Sequence, residues 1–119
     1  KLKSVHFFKN MSGVDFLKLL INSKMLIGNS SVGIRECSYL GIPVINIGKR
    51  QQYRERGLNV IDIGYDSKEI INAYRKWSNS QKIKRTTLYG DGKAGKRISD
   101  LLCTIPKKNE KHLGYEDKE

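Results

Sequence analysis

The chain has 119 residues, enough for one domain of ordinary size. Its 23 Lys and Arg residues outnumber 12 Asp and Glu residues and give a formal net charge of +11. No apolar run reaches the ~20 residues of a membrane-spanning helix, and no secretion signal is present, so we expect a cytoplasmic protein. The two cysteines, Cys37 and Cys103, lie far apart and are predicted to be small core residues rather than a disulfide framework.

The excess of positive charge favours an anionic partner, which could be nucleic acid, an acidic membrane or a phosphorylated small molecule. The basic residues do not form one stripe, because most of them are spread over separate segments at 49–56, 75–85, 93–97 and 107–111. A basic surface or terminal tail without a specific partner explains the same charge. Charge alone therefore leaves the class of ligand open.

Short apolar runs alternate with segments of helical periodicity along the chain. In chain order they predict a strand at 5–8, a helix at 14–22, a strand at 25–27, a helix at 32–40, a strand at 43–47, a polar loop at 51–57, a strand at 59–63, a helix at 68–78, a loop at 85–93 and a helix at 94–104. Ser12 or Gly13 is expected to start the first helix, Gly41 to end the second, and Ser67 to cap the third.

The alternation of apolar strands with helices predicts an α/β fold of the Rossmann-like class, in which helices cover both faces of a parallel sheet. The apolar residues of the last helix, Ile98, Leu101 and Leu102, are expected to face the core. We expect residues 1–106 to form this domain and residues 107–119 to form a charged, flexible tail. Ligands of such sheets bind at the carboxyl ends of the strands.

The segment from Gly28 to Glu36, Gly-Asn-Ser-Ser-Val-Gly-Ile-Arg-Glu, follows an apolar strand and leads into a helix. Such a turn leaves backbone N–H groups unpaired at the positive end of a helix dipole, which suits a phosphate. Ser30 and Ser31 can donate hydrogen bonds to a diphosphate, although either could simply cap the helix. Glu36 can accept hydrogen bonds from sugar hydroxyls, but it could equally be a solvated carboxylate. Phosphate and hydroxyl recognition together indicate a nucleotide or a nucleotide-sugar.

Arg50 follows the strand at 43–47, where its guanidinium can pair with phosphate oxygens. It is also one of several cations in that segment, so a plain surface role explains it equally. The chain has no Walker loop, no Gly-x-Gly-x-x-Gly, no nucleophile elbow and no metal-ligand spacing. It also lacks a convincing pair of catalytic carboxylates. These features predict the binding part of an active site, with no metal and no cofactor.

Several blocks of the sequence closely resemble the UDP-N-acetylglucosamine 2-epimerase family. They are the turn and helix at 28–36, the run Gly-Ile-Pro-Val-Ile-Asn-Ile-Gly-Lys-Arg-Gln at 41–51, the segments 54–57 and 59–61, and Leu-Tyr-Gly-Asp-Gly at 88–92 with Lys-Arg-Ile at 96–98. The resemblance extends from about Val5 to Leu102. It implies that the chain is most of the carboxyl-terminal, UDP-binding lobe of a longer, two-domain enzyme with a glycosyltransferase-B-like fold.

The resemblance also implies roles for individual residues. The positions that match the family's UDP-binding turn and its neighbours are Met11, Asn29, Ser30, Ser31, Gly33, Glu36 and Arg50. By this match Ser30 and Ser31 hold the diphosphate and Glu36 holds the ribose. Arg50 is implied to reach the UDP, and the backbone of Met11 to lie near the uracil.

The Gly-Asn-Ser-Ser form of the turn is similar to the hydrolysing branch of the family, which feeds sialic-acid-type sugar synthesis. That branch expels UDP from UDP-N-acetylglucosamine by elimination and hydrates the glycal, giving N-acetylmannosamine and UDP. The resemblance implies that the acid and base groups come from the amino-terminal domain and from a stretch upstream of Lys1, so we expect no catalytic residue here and no activity of the chain alone. The alternatives are a glycosyltransferase-B-like transferase and a basic nucleic-acid-binding module. The choice of UDP-sugar and homo-oligomer formation remain open.

Overall fold

The computed structural model describes residues 4–80 and 83–106. The chain divides into two compact units, Lys1–Tyr89 and Gly90–Glu119. The predicted tail at 107–119 lies outside the described residues, so the boundary at residue 106 stays a prediction. Within the described part, no helix has both the length and the apolar content that crossing a membrane requires.

The first unit is a parallel three-stranded sheet with helices packed against it. Its elements are α1 (Gly13–Ile21), β1 (Leu26–Gly28), α2 (Ser31–Ile34), α3 (Glu36–Leu40), β2 (Val44–Ile47), β3 (Val60–Ile63) and α4 (Ser67–Ser78). The strand order is β1-β2-β3, and both neighbouring pairs are parallel. The predicted α/β class of Rossmann-like type is confirmed.

Both faces of β2 are buried, as expected for a central parallel strand. Val44 packs in a core cluster with Leu20 of α1 and Cys37 of α3. The next residue, Ile45, points to the opposite face because side chains alternate along a strand, and it is fully buried. Helix α4 contacts β2 and β3, and the indole N–H of Trp77 donates to the Val44 carbonyl at 3.0 Å.

The predicted strand at 5–8 is wrong. These residues have no regular secondary structure, and Phe7 and Phe8 are 91% and 66% exposed. An apolar run forms a strand only when a neighbouring strand pairs with its backbone, and β1 pairs only with β2 in the described part of the chain. The sequence pattern is local and does not report whether that partner exists.

The predicted helix at 32–40 is also wrong as one element, because the chain breaks into α2 and α3 at Arg35 (φ −95°, ψ −71°). Two buried polar side chains occupy the break. The Ser38 hydroxyl donates to the Ile34 carbonyl and lies 2.7 Å from Asn59 Oδ1, while the Asn59 amide donates to the Gly33 carbonyl at 3.4 Å. These bonds supply partners for carbonyls at the break.

Side-chain caps begin α1 and α4, and a glycine ends α3. Ser12 caps α1 by accepting from the Asp15 amide at 3.1 Å, and α3 ends at Gly41 in the left-handed conformation, as predicted. The predicted cap of α4 is wrong by one residue. Asp66, rather than Ser67, accepts from the Lys68 amide at 2.9 Å.

The second unit contains α5 (Ala94–Thr104). Before it, Asp91 accepts two hydrogen bonds from the Arg97 guanidinium, at 2.8 and 2.9 Å. These bonds hold the pKa of the Asp91 carboxyl well below its usual range. Two predictions about α5 are wrong: its apolar residues Ile98, Leu101 and Leu102 are exposed, and so is Cys103. Helical periodicity identifies an apolar face but not what covers it.

Candidate functional site

The turns after β1 and β2 lie at the same edge of the sheet, because all three strands are parallel. Gly28 ends β1, and Asn29, Ser30 and Ser31 follow it. Ile47 ends β2, and Arg50 follows within the next turn. The fold therefore brings the predicted turn residues and Arg50 to one edge, the one where ligands of such sheets bind.

The turn after β1 is open to solvent. Gly28 has a φ of +151°, which favours glycine, and apart from its two chain neighbours no heavy atom of the described residues lies within 4 Å of the place where its Cβ would be. Ser30 caps α2 by accepting from the Val32 amide at 3.3 Å. The amide of Ser31, the first residue of α2, has no partner inside its own helix. Backbone and hydroxyl donors therefore lie beside open space.

The helix that begins at this turn is short. Helix α2 has four residues, so the dipole of a long helix, which the sequence suggested, is not available here. Any anion bound at the turn depends on direct hydrogen bonds from Ser30, Ser31 and nearby amides. This makes the two serines more important to the site than the helix itself.

Gly33 is buried and faces the sheet. A Cβ at this position would lie 2.8 Å from Val44 Cγ1 and 3.0 Å from Leu26 Cδ2. The absence of a side chain lets α2 approach β1 and β2 closely. Gly33 thus supports the turn through packing, and the contact with UDP that the family motif implies stays a prediction.

Glu36 begins α3 and is half-buried. Its Oε2 atom is buried and accepts no hydrogen bond from any part of the chain that the structure describes. Burial, together with a smaller contribution from the Glu36 charge, raises the pKa of the neighbouring Cys37 thiol to about 12. A buried carboxylate oxygen without a protein partner is uncommon in folded proteins and favours a bound hydrogen-bond donor at this position.

Arg56 links the loop after β2 to the sheet. Its Nε lies 2.9 Å from Oδ2 of Asp62 in β3 and forms an ion pair with it. Burial alone would raise the pKa of Asp62, but hydrogen bonds from Arg56 and Asn46 outweigh it and lower that pKa. Arg50 is exposed, and across residues 4–80 and 83–106 it forms no ion pair. Its guanidinium is therefore free to meet an anion.

Sequence reasoning missed Gln51, which lay inside a predicted polar loop. Gln51 is only 4% exposed, and its Nε2 donates to the Asn29 carbonyl at 2.9 Å. This bond joins the loop after β2 to the turn after β1. No local signal could have revealed it, because the two bonded residues are 22 positions apart.

Met11 precedes α1, whereas the other predicted site residues follow β1 or β2. It is half-buried in the segment before α1 and lines a cavity of about 450 Å³. The side chains that share this cavity are Phe8, Lys9, Asn10, Phe16 and Leu19. Its predicted place near the uracil stays a prediction. Among the residues placed by the structure, no group of three His, Cys, Asp or Glu side chains could hold a metal ion.

Comparison with known proteins gives the same family as the sequence motifs. The model of the family described as UDP-N-acetylglucosamine 2-epimerase matches residues 1–103. The chain is 41% identical over 102 residues to the UDP-N,N'-diacetylbacillosamine 2-epimerase (hydrolyzing) of Legionella pneumophila, covering 86% of this chain and 27% of that protein.

Two further relatives are similar over shorter stretches. The UDP-N-acetylglucosamine 2-epimerase of Neisseria meningitidis is 36% identical over 77 residues, which is 65% of this chain and 20% of that protein. The polysialic acid biosynthesis protein P7 of Escherichia coli is 44% identical over 57 residues, which is 48% of this chain and 15% of that protein. The chain thus spans about a quarter or less of the length of these relatives. With the turn, the acceptor carboxylate and the family match in agreement, the chain belongs to the UDP-N-acetylglucosamine 2-epimerase family.

Proposed function

We propose that this chain is the UDP-binding part of a hydrolysing UDP-sugar 2-epimerase with two lobes of the glycosyltransferase-B type. Ser30 and Ser31, with the backbone of Asn29, would bind the diphosphate, and Arg50 would pair with its oxygens. Glu36 would accept hydrogen bonds from the ribose hydroxyls. The backbone of Met11 would lie near the uracil, so that each part of the nucleotide has a partner.

The observation that carries the proposal is the buried, unpartnered Oε2 of Glu36. A solvated surface carboxylate would be hydrated and would need no ligand. A shielded carboxylate oxygen close in sequence to an open donor turn fits a nucleoside diphosphate. Its hydroxyls donate hydrogen bonds, and its phosphates accept them.

The proposed reaction makes UDP the leaving group. Elimination breaks the bond between C1 of the sugar and the diphosphate oxygen while the proton on C2 is removed. Water then adds at C1 of the glycal, and a proton returns to C2 on the opposite face. In this chain, the turn and Arg50 would stabilise the charge that develops on the departing diphosphate. The groups that move the protons would come from outside this chain.

The substrate class is proposed to be a UDP-linked 2-acetamido sugar. The Legionella and Neisseria relatives are named for different sugars, a diacetylated one and N-acetylglucosamine. With UDP-N-acetylglucosamine, the products would be N-acetylmannosamine and UDP. The name of the Escherichia coli relative supports a place in the synthesis of sialic-acid-type sugars. A cytoplasmic location stays a prediction.

The test removes both serine hydroxyls in the complete protein. Ser30→Ala combined with Ser31→Ala should weaken UDP binding by on the order of 3 kcal/mol, since hydrogen bonds to charged groups contribute about 1.5–3 kcal/mol each. Isothermal calorimetry should show a rise in Kd of about 100-fold. Ser23→Ala is the matched control, because its hydroxyl donates to the Leu20 carbonyl, at 2.7 Å, before β1 begins.

Unchanged UDP affinity in the double variant would refute the assigned diphosphate site. An equal loss in Ser23→Ala would show that the effect comes from general destabilisation instead. Ser30 also caps α2, so the thermal unfolding of each variant without ligand should be measured alongside the affinity.

A further inference from the structure

Gln51 is a buried polar residue between the two turns at the ligand-binding edge. Its side-chain Nε2 donates to the Asn29 carbonyl at 2.9 Å. Its backbone carbonyl accepts from the Arg56 guanidinium at 2.7 Å. One residue therefore contacts both the turn after β1 and the cation that holds the loop after β2.

The chain of bonds continues into the sheet. Arg56 also pairs with Asp62 of β3 at 2.9 Å, and Asp62 accepts from the buried Asn46 of β2. Asn46 and Asp62 are register partners in the two strands. Gln51 is thus connected to the sheet through its backbone carbonyl and to the ligand turn through its side chain.

The orientation of the Gln51 amide leaves one atom without a partner. Oε1 is buried and receives no hydrogen bond from residues 4–80 or 83–106. Buried acceptors without a hydrogen-bond partner are uncommon in native proteins, because each one costs stability. The unpaired Oε1 lowers stability, while Nε2 of the same side chain donates to the turn. This combination favours a role at the site over a role in stability alone.

We infer that Gln51 is a positioning residue for diphosphate binding. It holds Asn29 against the loop that carries Arg50, so that the donors of the turn and the Arg50 guanidinium reach the same anion. This inference rests on the proposed function. Gln51 itself need not touch the ligand, because its effect passes through the Asn29 backbone and the conformation of the turn.

The test compares two substitutions that each remove one bond from a side-chain N–H to a backbone carbonyl. Gln51→Met keeps a similar volume and removes the bond to Asn29. Trp77→Phe is the matched control, because the indole N–H donates to Val44 at 3.0 Å, where β2 begins and away from the ligand edge. In the complete protein we expect Gln51→Met to raise the Kd for UDP at least tenfold, and Trp77→Phe to change it less than twofold.

Thermal unfolding without ligand separates positioning from stability. Gln51→Met should lose no more unfolding temperature than Trp77→Phe while losing far more UDP affinity. Gln51→Glu, which keeps the side-chain length but cannot donate when ionised, should also raise the Kd at least tenfold and keeps the test valid if Gln51→Met does not fold.

The possible results are distinguishable. UDP binding by the wild-type protein with equal affinity in both Gln51 variants would overturn the positioning role and leave the proposed function standing. Absence of UDP binding in the wild-type protein would overturn the proposed function itself, and the inference with it.

Discussion

Glu36 combines a partly buried carboxylate with an oxygen that has no protein partner in the described structure. The sequence identified the residue type and its position after the turn. It could not distinguish a solvated carboxylate from a shielded one, because burial depends on what packs around the start of α3. The structure favours the shielded alternative, and the prediction below depends on it.

Glu36→Gln should weaken UDP binding while leaving inorganic diphosphate binding nearly unchanged. The substitution removes the negative charge that accepts ribose hydroxyls, and a hydrogen bond to a charged group contributes about 1.5–3 kcal/mol. We therefore expect the Kd for UDP, measured by calorimetry on the complete protein, to rise about 10-fold to 100-fold. Glu69→Gln is the control, because that carboxylate already accepts from the Gly64 amide at 2.8 Å. An equal loss for both ligands would make Glu36 structural.

At the scale of elements, the packing of α2 on the sheet determines where the donor turn lies. Gly33 allows this approach because a Cβ there would come within 3.0 Å of two side chains, those of Val44 and Leu26. The helix then breaks at Arg35, and α3 begins at Glu36.

Gly33→Ala should destabilise the protein by about 1–3 kcal/mol, the usual cost of adding a methyl group to a tightly packed position. Gly13→Ala, at the first position of α1, is the control because nothing lies within 4 Å of its Cβ position. That control should be neutral or slightly stabilising, since alanine favours a helix. Thermal unfolding of the complete protein measures both effects. A Gly33→Ala variant as stable as wild type would mean that Val44 and Leu26 move aside freely.

At the scale of the whole molecule, the chain spans only part of the length of its relatives. It covers 27% of the Legionella relative. Several apolar side chains before and within α1 are more than 60% exposed, namely Phe7, Phe8 and Val14. The proposed chemistry also needs proton-transfer groups that the chain is not expected to contain.

The isolated chain should bind UDP weakly and should not convert UDP-N-acetylglucosamine. One lobe cannot enclose the substrate, so it cannot supply the positioning and charge stabilisation of a closed cleft. The measurement is the release of N-acetylmannosamine and UDP, with the complete protein as the positive control. Formation of N-acetylmannosamine by residues 1–119 alone would contradict this expectation.

The sequence by itself determined most of the elements and the location of the donor turn. Periodicity and capping are local properties, so β1 to β3, α4 and the stop at Gly41 could be predicted from a few adjacent residues. The family motifs added the expected roles of Ser30, Ser31 and Glu36.

Only the tertiary structure decided which segments pair as strands and which side chains find a hydrogen-bond partner far along the chain. Within the described residues no strand pairs with the segment 5–8, and the helix at 32–40 broke where Asn59, far along the chain, supplies a hydrogen bond to the Gly33 carbonyl. The bond between Gln51 and Asn29 joins residues 22 positions apart. Such contacts depend on how distant segments meet, and no local pattern contains that information.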